Sequence, residues 1–236
     1  MGEHGVGSAL AQAVALAAPA AGVDAWTCNL SRSPSDIAAM ERVLSQAELA
    51  RAQRFGRPEL RARYIVGRST LRAILGTVLG VDAAQVVILR GRRGRPMVEG
   101  ASVDFNVSHT RDTAIFAVAT NARIGVDIEH RDRMVNVEGV GRKFMSPREQ
   151  AMLHGLDGDA QRHALLRLWT CKEAMSKATG DALGAPFRKL DVVLDPAPSL
   201  RDGPQPYEPS RWRLLPVDIS GGYLATVALW HAPASH

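Results

Sequence analysis

Three carboxylates on two predicted elements carry most of the chemistry open to this chain. Asp127 and Glu129 stand two apart in Arg123-Ile124-Gly125-Val126-Asp127-Ile128-Glu129, and Glu173 stands in Trp169-Thr170-Cys171-Lys172-Glu173-Ala174-Met175-Ser176-Lys177. The first stretch alternates. As a strand it turns Ile124, Val126 and Ile128 to one face and Gly125, Asp127 and Glu129 to the other. Two acids so placed lie about 7 Å apart, and like charges held that close favour a shared cation. The second stretch reads as a helix with Lys172 and Lys177 on either side of its glutamate. Acids to hold a hard metal, next to lysines to hold phosphate, point to phosphoryl-group chemistry on a magnesium complex. Carboxylates without His or Cys ligands suit Mg2+ or Mn2+ and poorly suit zinc.

Each group also has a plainer explanation. Glu173 and Lys177 are four apart in the favourable order for a solvated helical pair. Asp127 and Glu129 would serve equally as acids facing water at a strand tip. Ala164, Leu168, Cys171, Met175 and Ala178 form the helix's core stripe, and Glu173 falls almost opposite it with Leu166, Trp169 and Lys177. Large apolar groups seldom sit on a purely solvated face. The helix is therefore expected to have cores on two sides, one of them facing the other half of the chain.

The chain repeats itself. A shift of 101 residues sets Val23–Cys28 on Ile124–Glu129, Ser45-Gln46-Ala47-Glu48 on Ser146-Pro147-Arg148-Glu149, and a long helix from about Leu60 to Leu79 on one from about Gln161 to Thr179. Both four-residue segments are capping boxes. The expected fold is α+β: two similar halves related by a pseudo-twofold, with antiparallel sheets packed against long helices. Residues 1–22 read as a flexible extension, 23–121 as the N-terminal half and 122–236 as the C-terminal half. Between the helices, Val103–His109, Ala114–Ala119 and the acidic strand read as a meander. That would bring His109 and Glu129 to one edge, two strand spacings or roughly 10 Å apart. Asn106 and Ser108, on the face opposite His109, read as sheet surface. The Pro-rich stretch from Asp195 to Pro209 reads as a loop, and Arg211–Val217 with Tyr223–Trp230 as a closing hairpin.

With 236 residues, 46% hydrophobic and 22% charged, the composition is that of a globular chain, and no apolar run approaches a membrane span. A net charge of +5 and a pI near 9.7 favour an acidic partner. Arg51, Arg54, Arg57, Arg61, Arg63, Arg68 and Arg72 cluster on or before the first long helix. Gly91-Arg92-Arg93-Gly94-Arg95-Pro96 is a basic turn that can set backbone N–H groups and a guanidinium against phosphate. Nucleic acid is disfavoured, because aromatics make up only 5% and none interleave with the basic run. Cys28 and Cys171 lack metal-ligand spacing and read as buried thiols in a reducing, cytoplasmic compartment. The Ala-rich start lacks the basic flank of an export signal.

These residues resemble the two-lobed 4′-phosphopantetheinyl transferases that serve polyketide, nonribosomal-peptide and fatty-acid carrier proteins. Four pieces carry the resemblance: Gly94-Arg95-Pro96, Phe105-Asn106-Val107-Ser108-His109, Gly125-Val126-Asp127-Ile128-Glu129, and Trp169-x-x-Lys172-Glu173-Ala174-x-x-Lys177. The resemblance implies transfer of phosphopantetheine from coenzyme A to a serine of an apo acyl or peptidyl carrier protein by a monomer with coenzyme A in the cleft between its halves. Asp127, Glu129 and Glu173 would hold Mg2+. Lys172 and Lys177 would neutralise the pyrophosphate, Arg51, Arg63, Ser108 and His109 would bind coenzyme A, and Gly94, Arg95 and Pro96 would border the adenine. Glu173 would take the serine proton, with Glu149 a second candidate. Two departures stand out: Glu48 occupies a position where the family often has a basic residue, and Arg95 replaces the commoner lysine. A non-catalytic coenzyme A or nucleotide-binding module is the alternative; loss of an acid would favour it, and all three are present.

Overall fold

Two runs of the same elements follow each other along the chain. The computed structural model describes residues 13–91, 93–100 and 102–231; Arg92 and the first twelve residues lie outside them. The first run is β2 (Val23–Asn29), α1 (Pro34–Met40), α2 (Gln46–Gln53), α3 (Pro58–Leu79), the small hairpin β3 (Ile88–Arg90) and β4 (Pro96–Val98), then β5 (Val103–Thr110) and β6 (Thr113–Thr120), preceded by β1 (Val14–Ala15). The second is β7 (Arg123–His130), α4 (Val137–Phe144), α5 (Pro147–His154), α6 (Gly158–Thr179), the hairpin β8 (Asp191–Val193) and β9 (Ser199–Asp202), then β10 (Trp212–Val217) and β11 (Tyr223–Trp230). In each run the last strand returns to pair antiparallel with the first, β6 with β2 and β11 with β7.

Local chemistry sets the ends of these helices. Ser45 with Glu48 caps α2 and Ser146 with Glu149 caps α5, each pair satisfying two N-terminal donors reciprocally. The 22-residue helices α3 and α6 both stop at a left-handed glycine, Gly80 at φ 69° and Gly180 at φ 82°.

The layers run α3, sheet β1-β2-β6-β5, sheet β10-β11-β7, α6. Between the sheets Ile115, Ala117 and Ala119 of β6 meet Ile124, Val126 and Ile128 of β7. Outside them, Leu71, Ile74 and Leu75 of α3 share a core with Phe105 and Phe116, while Leu168, Cys171 and Met175 of α6 share one with Leu214 and Ala228. The α+β organisation in two similar lobes is as expected, and so is the division of β7 into an apolar and an acidic face.

Five expectations need correcting. The acidic strand does not continue the β5–β6 meander; it pairs with β11 and lies beside β5, running the same way. Side chains replace a backbone ladder there: Ile124 N–H donates to Asp104 Oδ2 at 2.8 Å and Val126 N–H to Asn106 Oδ1 at 3.0 Å. Asn106 and Ser108 are thus buried at the joint between sheets and are not sheet surface. Residues 13–22 are not loose, because Val14 and Ala15 extend the first sheet by pairing with Thr27 and Trp26. The Pro-rich segment contains β9. Finally, the second core beside α6 lies within its own half, where Trp169 packs on Phe144 and Phe187. Among the described residues, no helix is long and apolar enough to cross a membrane.

Candidate active site

Gly125 brings the acids together. A Cβ there would stand 1.9 Å from the Ala174 carbonyl oxygen, so the β7 backbone touches the α6 backbone in a way that any side chain forbids. That contact sets Lys177 over Asp127. The Lys177 ammonium donates to Asp127 Oδ1 at 2.6 Å, to Ser108 Oγ at 2.8 Å and to Val126 O at 3.1 Å. Ser108 Oγ also donates to Asp127 Oδ1, at 2.8 Å. Glu129 accepts from Arg133 on one oxygen and from Thr110 Oγ1, at 3.3 Å, on the other.

Two oxygens remain over. Asp127 Oδ2 and Glu173 Oε1 are buried and have no hydrogen-bond partner. Burial, then the negative charges of Asp127 and Glu129, hold the Glu173 carboxyl above its ordinary value against the pull of Lys177 and Arg133. Burial likewise raises Glu129, with Asp127 adding to it and Arg133 and Thr110 opposing. Among the described residues, no three His, Cys, Asp or Glu side chains stand close enough to bind an ion as placed. The donor set nevertheless fits one. Unpartnered buried carboxylate oxygens are costly, and an all-oxygen set of this charge suits a hard dication.

Beside the acids, a cavity of about 360 Å³ opens between α3 and the β5–β6 hairpin. Arg51, Arg63, Tyr64, Arg68 and His109 line it, with Phe55 and Leu71 among its apolar walls. The Arg51 guanidinium stands 5.7 Å from the centre of the Tyr64 ring, and Arg63 pairs with Asp112 at 2.5 Å. Burial, then the charges of Lys177 and Arg63, lower the His109 pKa, against Asp127. His109 therefore feels both the acidic cluster and the arginine cavity. Glu48 points away from that cavity into α3, where it accepts from Arg68 at 2.6 Å and Arg72 at 2.7 Å. Burial alone would raise its pKa; the Ser45 N–H, Arg72 and Arg68 outweigh that and leave it lowered.

Residues 26–121 match the family model described as 4′-phosphopantetheinyl transferase, N-terminal, and residues 123–228 match that of the 4′-phosphopantetheinyl transferase superfamily. The join between the two falls in the turn from β6 to β7. The chain is 34% identical over 211 residues to the 4′-phosphopantetheinyl transferase HetI of Nostoc sp., covering 88% of this chain and 87% of that protein. It is 29% identical over 194 residues to a phosphopantetheinyl transferase of Thraustochytrium sp., covering 75% and 67% respectively. It is 26% identical over 182 residues to the L-aminoadipate-semialdehyde dehydrogenase-phosphopantetheinyl transferase of Xenopus laevis, covering 64% and 58%. This chain belongs to the 4′-phosphopantetheinyl transferase superfamily.

Within this phosphopantetheinyl transferase, three residues expected at the ligand do other work. The Lys172 side chain has no exposed surface; its ammonium donates to Glu149 Oε2 at 2.5 Å and to the carbonyls of Phe187 and Leu190, both at 2.8 Å, and of Phe144 at 3.2 Å. Burial pushes the Lys172 pKa down and the Glu149 pKa up, and each partner opposes the other's shift. Glu149 also accepts from Ser146 N–H at 2.7 Å and Val192 N–H at 2.8 Å, which leaves it no route to a substrate proton. Arg95 spends its donors inside the protein, on both Asp104 oxygens, Lys177 O, Phe105 O and Ile124 O. It ties the β3–β4 hairpin to β5, β7 and the end of α6, while Gly94, at φ 74°, stays exposed in the hairpin turn and Pro96 half-buried beside it.

Sequence reasoning passed over Thr110, Asp104 and Arg133. Polar residues at 104, 106, 108 and 110 were the available signal for the first two: every second position of β5 is polar, as befits a strand whose side chains pair with a neighbour. Nothing in the sequence marks Arg133 as the partner of Glu129.

Proposed function

We propose that this transferase moves the phosphopantetheine arm of coenzyme A to a serine hydroxyl of an apo acyl or peptidyl carrier protein, with a divalent cation, Mg2+ for preference, held by Asp127, Glu129 and Glu173. A new serine oxygen–phosphorus bond forms, the pyrophosphate bridge breaks, and adenosine 3′,5′-bisphosphate leaves. One observation carries the metal assignment: two buried carboxylate oxygens, Asp127 Oδ2 and Glu173 Oε1, lack any partner beside a fixed lysine. When bound, the cation would supply charge neutralisation at the pyrophosphate and at the attacked phosphorus.

The chain's own residues do the rest. Lys177, oriented by Ser108 and Val126 O, presents its positive charge to the diphosphate. Arg51, Arg63 and His109 receive the 3′-phosphate at the mouth of the cavity, where guanidinium groups bind phosphate bidentately. Glu173, through an oxygen the cation leaves open, accepts the serine proton as the bond forms. One chain supplies the arginine-lined cavity from its first half and the acids from its second, consistent with a monomer. Cys28 and Cys171 are free and buried, as in a protein of the cytoplasm.

The test is intact-mass spectrometry on a panel of apo carrier domains from fatty-acid, polyketide and peptide systems, incubated with the protein, Mg2+ and coenzyme A. A gain of one phosphopantetheine per carrier is expected, lost with chelator and restored by Mg2+. No gain on any carrier would overturn the transfer, and a gain undiminished by chelator would overturn the metal.

A further inference from the structure

The positive charges around the acidic cluster are held very differently. Lys177 has three protein acceptors, one of them a backbone carbonyl, and only 25% of its side chain is exposed. Arg133 donates to Glu129 Oε1, and 46% of its side chain faces solvent. It follows β7 in the turn closed by Arg133 N–H on His130 O at 2.9 Å, and Arg131, Asp132, Arg133 and Met134 are all exposed. Lys177 cannot leave without stranding Ser108 and Asp127. Arg133 can swing into water at little expense.

Resting on the metal site proposed above, we infer that Arg133 is an exchangeable counter-ion for Glu129, occupying the carboxylate in the metal-free protein and yielding it to the divalent cation. Thr110 holds Glu129 Oε2, so a cation reaching this carboxylate would compete with the guanidinium for Oε1, and their like charges repel across a few ångströms. Metal binding is then an exchange, in which one charge-assisted hydrogen bond breaks as the new ligand bond forms. Thr110 stays on Oε2 throughout and keeps the carboxylate oriented. Arg133 thereby lowers the affinity for metal while it stabilises the metal-free cluster, where three acids meet on one side of β7 and α6. The effect is small, because a half-exposed ion pair contributes little.

Mn2+ serves as the probe, titrated by electron paramagnetic resonance into the full-length wild type and the Arg133→Gln, Arg131→Gln and Asp127→Ala variants, each checked by thermal melting. Arg133→Gln should bind Mn2+ about 1.5- to 5-fold more tightly than wild type. Arg131→Gln removes the same charge two residues away without touching Glu129, and should change affinity less. The gain from Arg133→Gln should shrink toward none in high salt, where the wild-type pair is screened. Arg133→Gln affinity equal to that of Arg131→Gln, or weaker than wild type, would overturn the exchange. The two readings fail separately. If Asp127→Ala loses Mn2+ while Arg133→Gln matches wild type, the metal site stands and the counter-ion role falls. If wild type binds no Mn2+ at all, the metal site falls too.

Discussion

The two halves place their long helices at different distances from their sheets. α6 lies hard against β7 and β11, whereas α3 makes no comparable approach to β2, β5 or β6. Side-chain size accounts for this. Gly125, Ala174, Ala178, Thr226 and Ala228 let the second helix settle, while Trp26, Phe105 and Phe116 prop the first away from its sheet. The tight contact sets Lys177 on Asp127 and half-buries Glu173, enclosing its Oε1. The loose one leaves the arginine-lined cavity of about 360 Å³. Under the 101-residue shift, Asp127 falls on Trp26, Glu129 on Cys28 and Glu173 on Arg72, so the first half has no acids of its own at the matching places. One scaffold used at two spacings yields an acidic cluster in one half and an arginine-lined cavity in the other.

The largest effect should come from the device that both halves share, the buried glutamate at the third helical position of α2 and α5. Glu48 has two arginines, Arg68 and Arg72, and Glu149 has Lys172. Lys172→Ala strands a carboxylate with 1% side-chain exposure and should destabilise the protein by about 3–5 kcal/mol in urea unfolding. Arg68→Ala leaves Arg72 in place and should lose well under half of that; equal losses would mean that the halves are held alike.

Next comes Gly125→Ala. Its methyl meets the Ala174 carbonyl, so α6 must lift, with a stability loss of about 1–3 kcal/mol and a fall in transfer of about a hundredfold if the helix moves by about 1 Å. Asp24→Ala, at the matching exposed position, should stay within about 0.5 kcal/mol of wild type. Rates and urea midpoints that leave Gly125→Ala unaffected would show that the close contact does not position Lys177 and Glu173.

The smallest effect concerns water expelled by that same contact. Because burial raises the folded-state pKa of Glu173, the folded protein binds this proton more tightly than the unfolded chain does. Stability of the metal-free protein should therefore fall as pH rises from the ordinary carboxyl value of 4.5 through the raised one, then level off. Glu173→Gln removes this contribution and should be about 1 kcal/mol more stable than wild type at pH 7, and no more stable below the ordinary value. Thermal melts with chelator, in which the variant gains nothing at pH 7, would show Glu173 to be better solvated than its burial implies.

Local and periodic features were legible in the residues themselves. The alternation of Ile124, Val126 and Ile128 with Gly125, Asp127 and Glu129 and the capping boxes at Ser45 and Ser146 rest on interactions within one element, the repeat at 101 residues needs only the chain laid on itself, and the structure contains them all. Those features, with the quoted signature segments, were enough to indicate the family and the two-lobed α+β fold. Packing between distant elements decided the rest. Lys172 and Lys177 are the same residue type five positions apart, yet a helix turns one into the interior against Glu149 and the other onto Asp127. Arg95 stands in a turn that resembles a ligand-binding element, but Asp104 and three carbonyls take up its donors. Residue type limits what a side chain can bind; only the three-dimensional fold determines which acceptors lie within its reach and how much water competes for it.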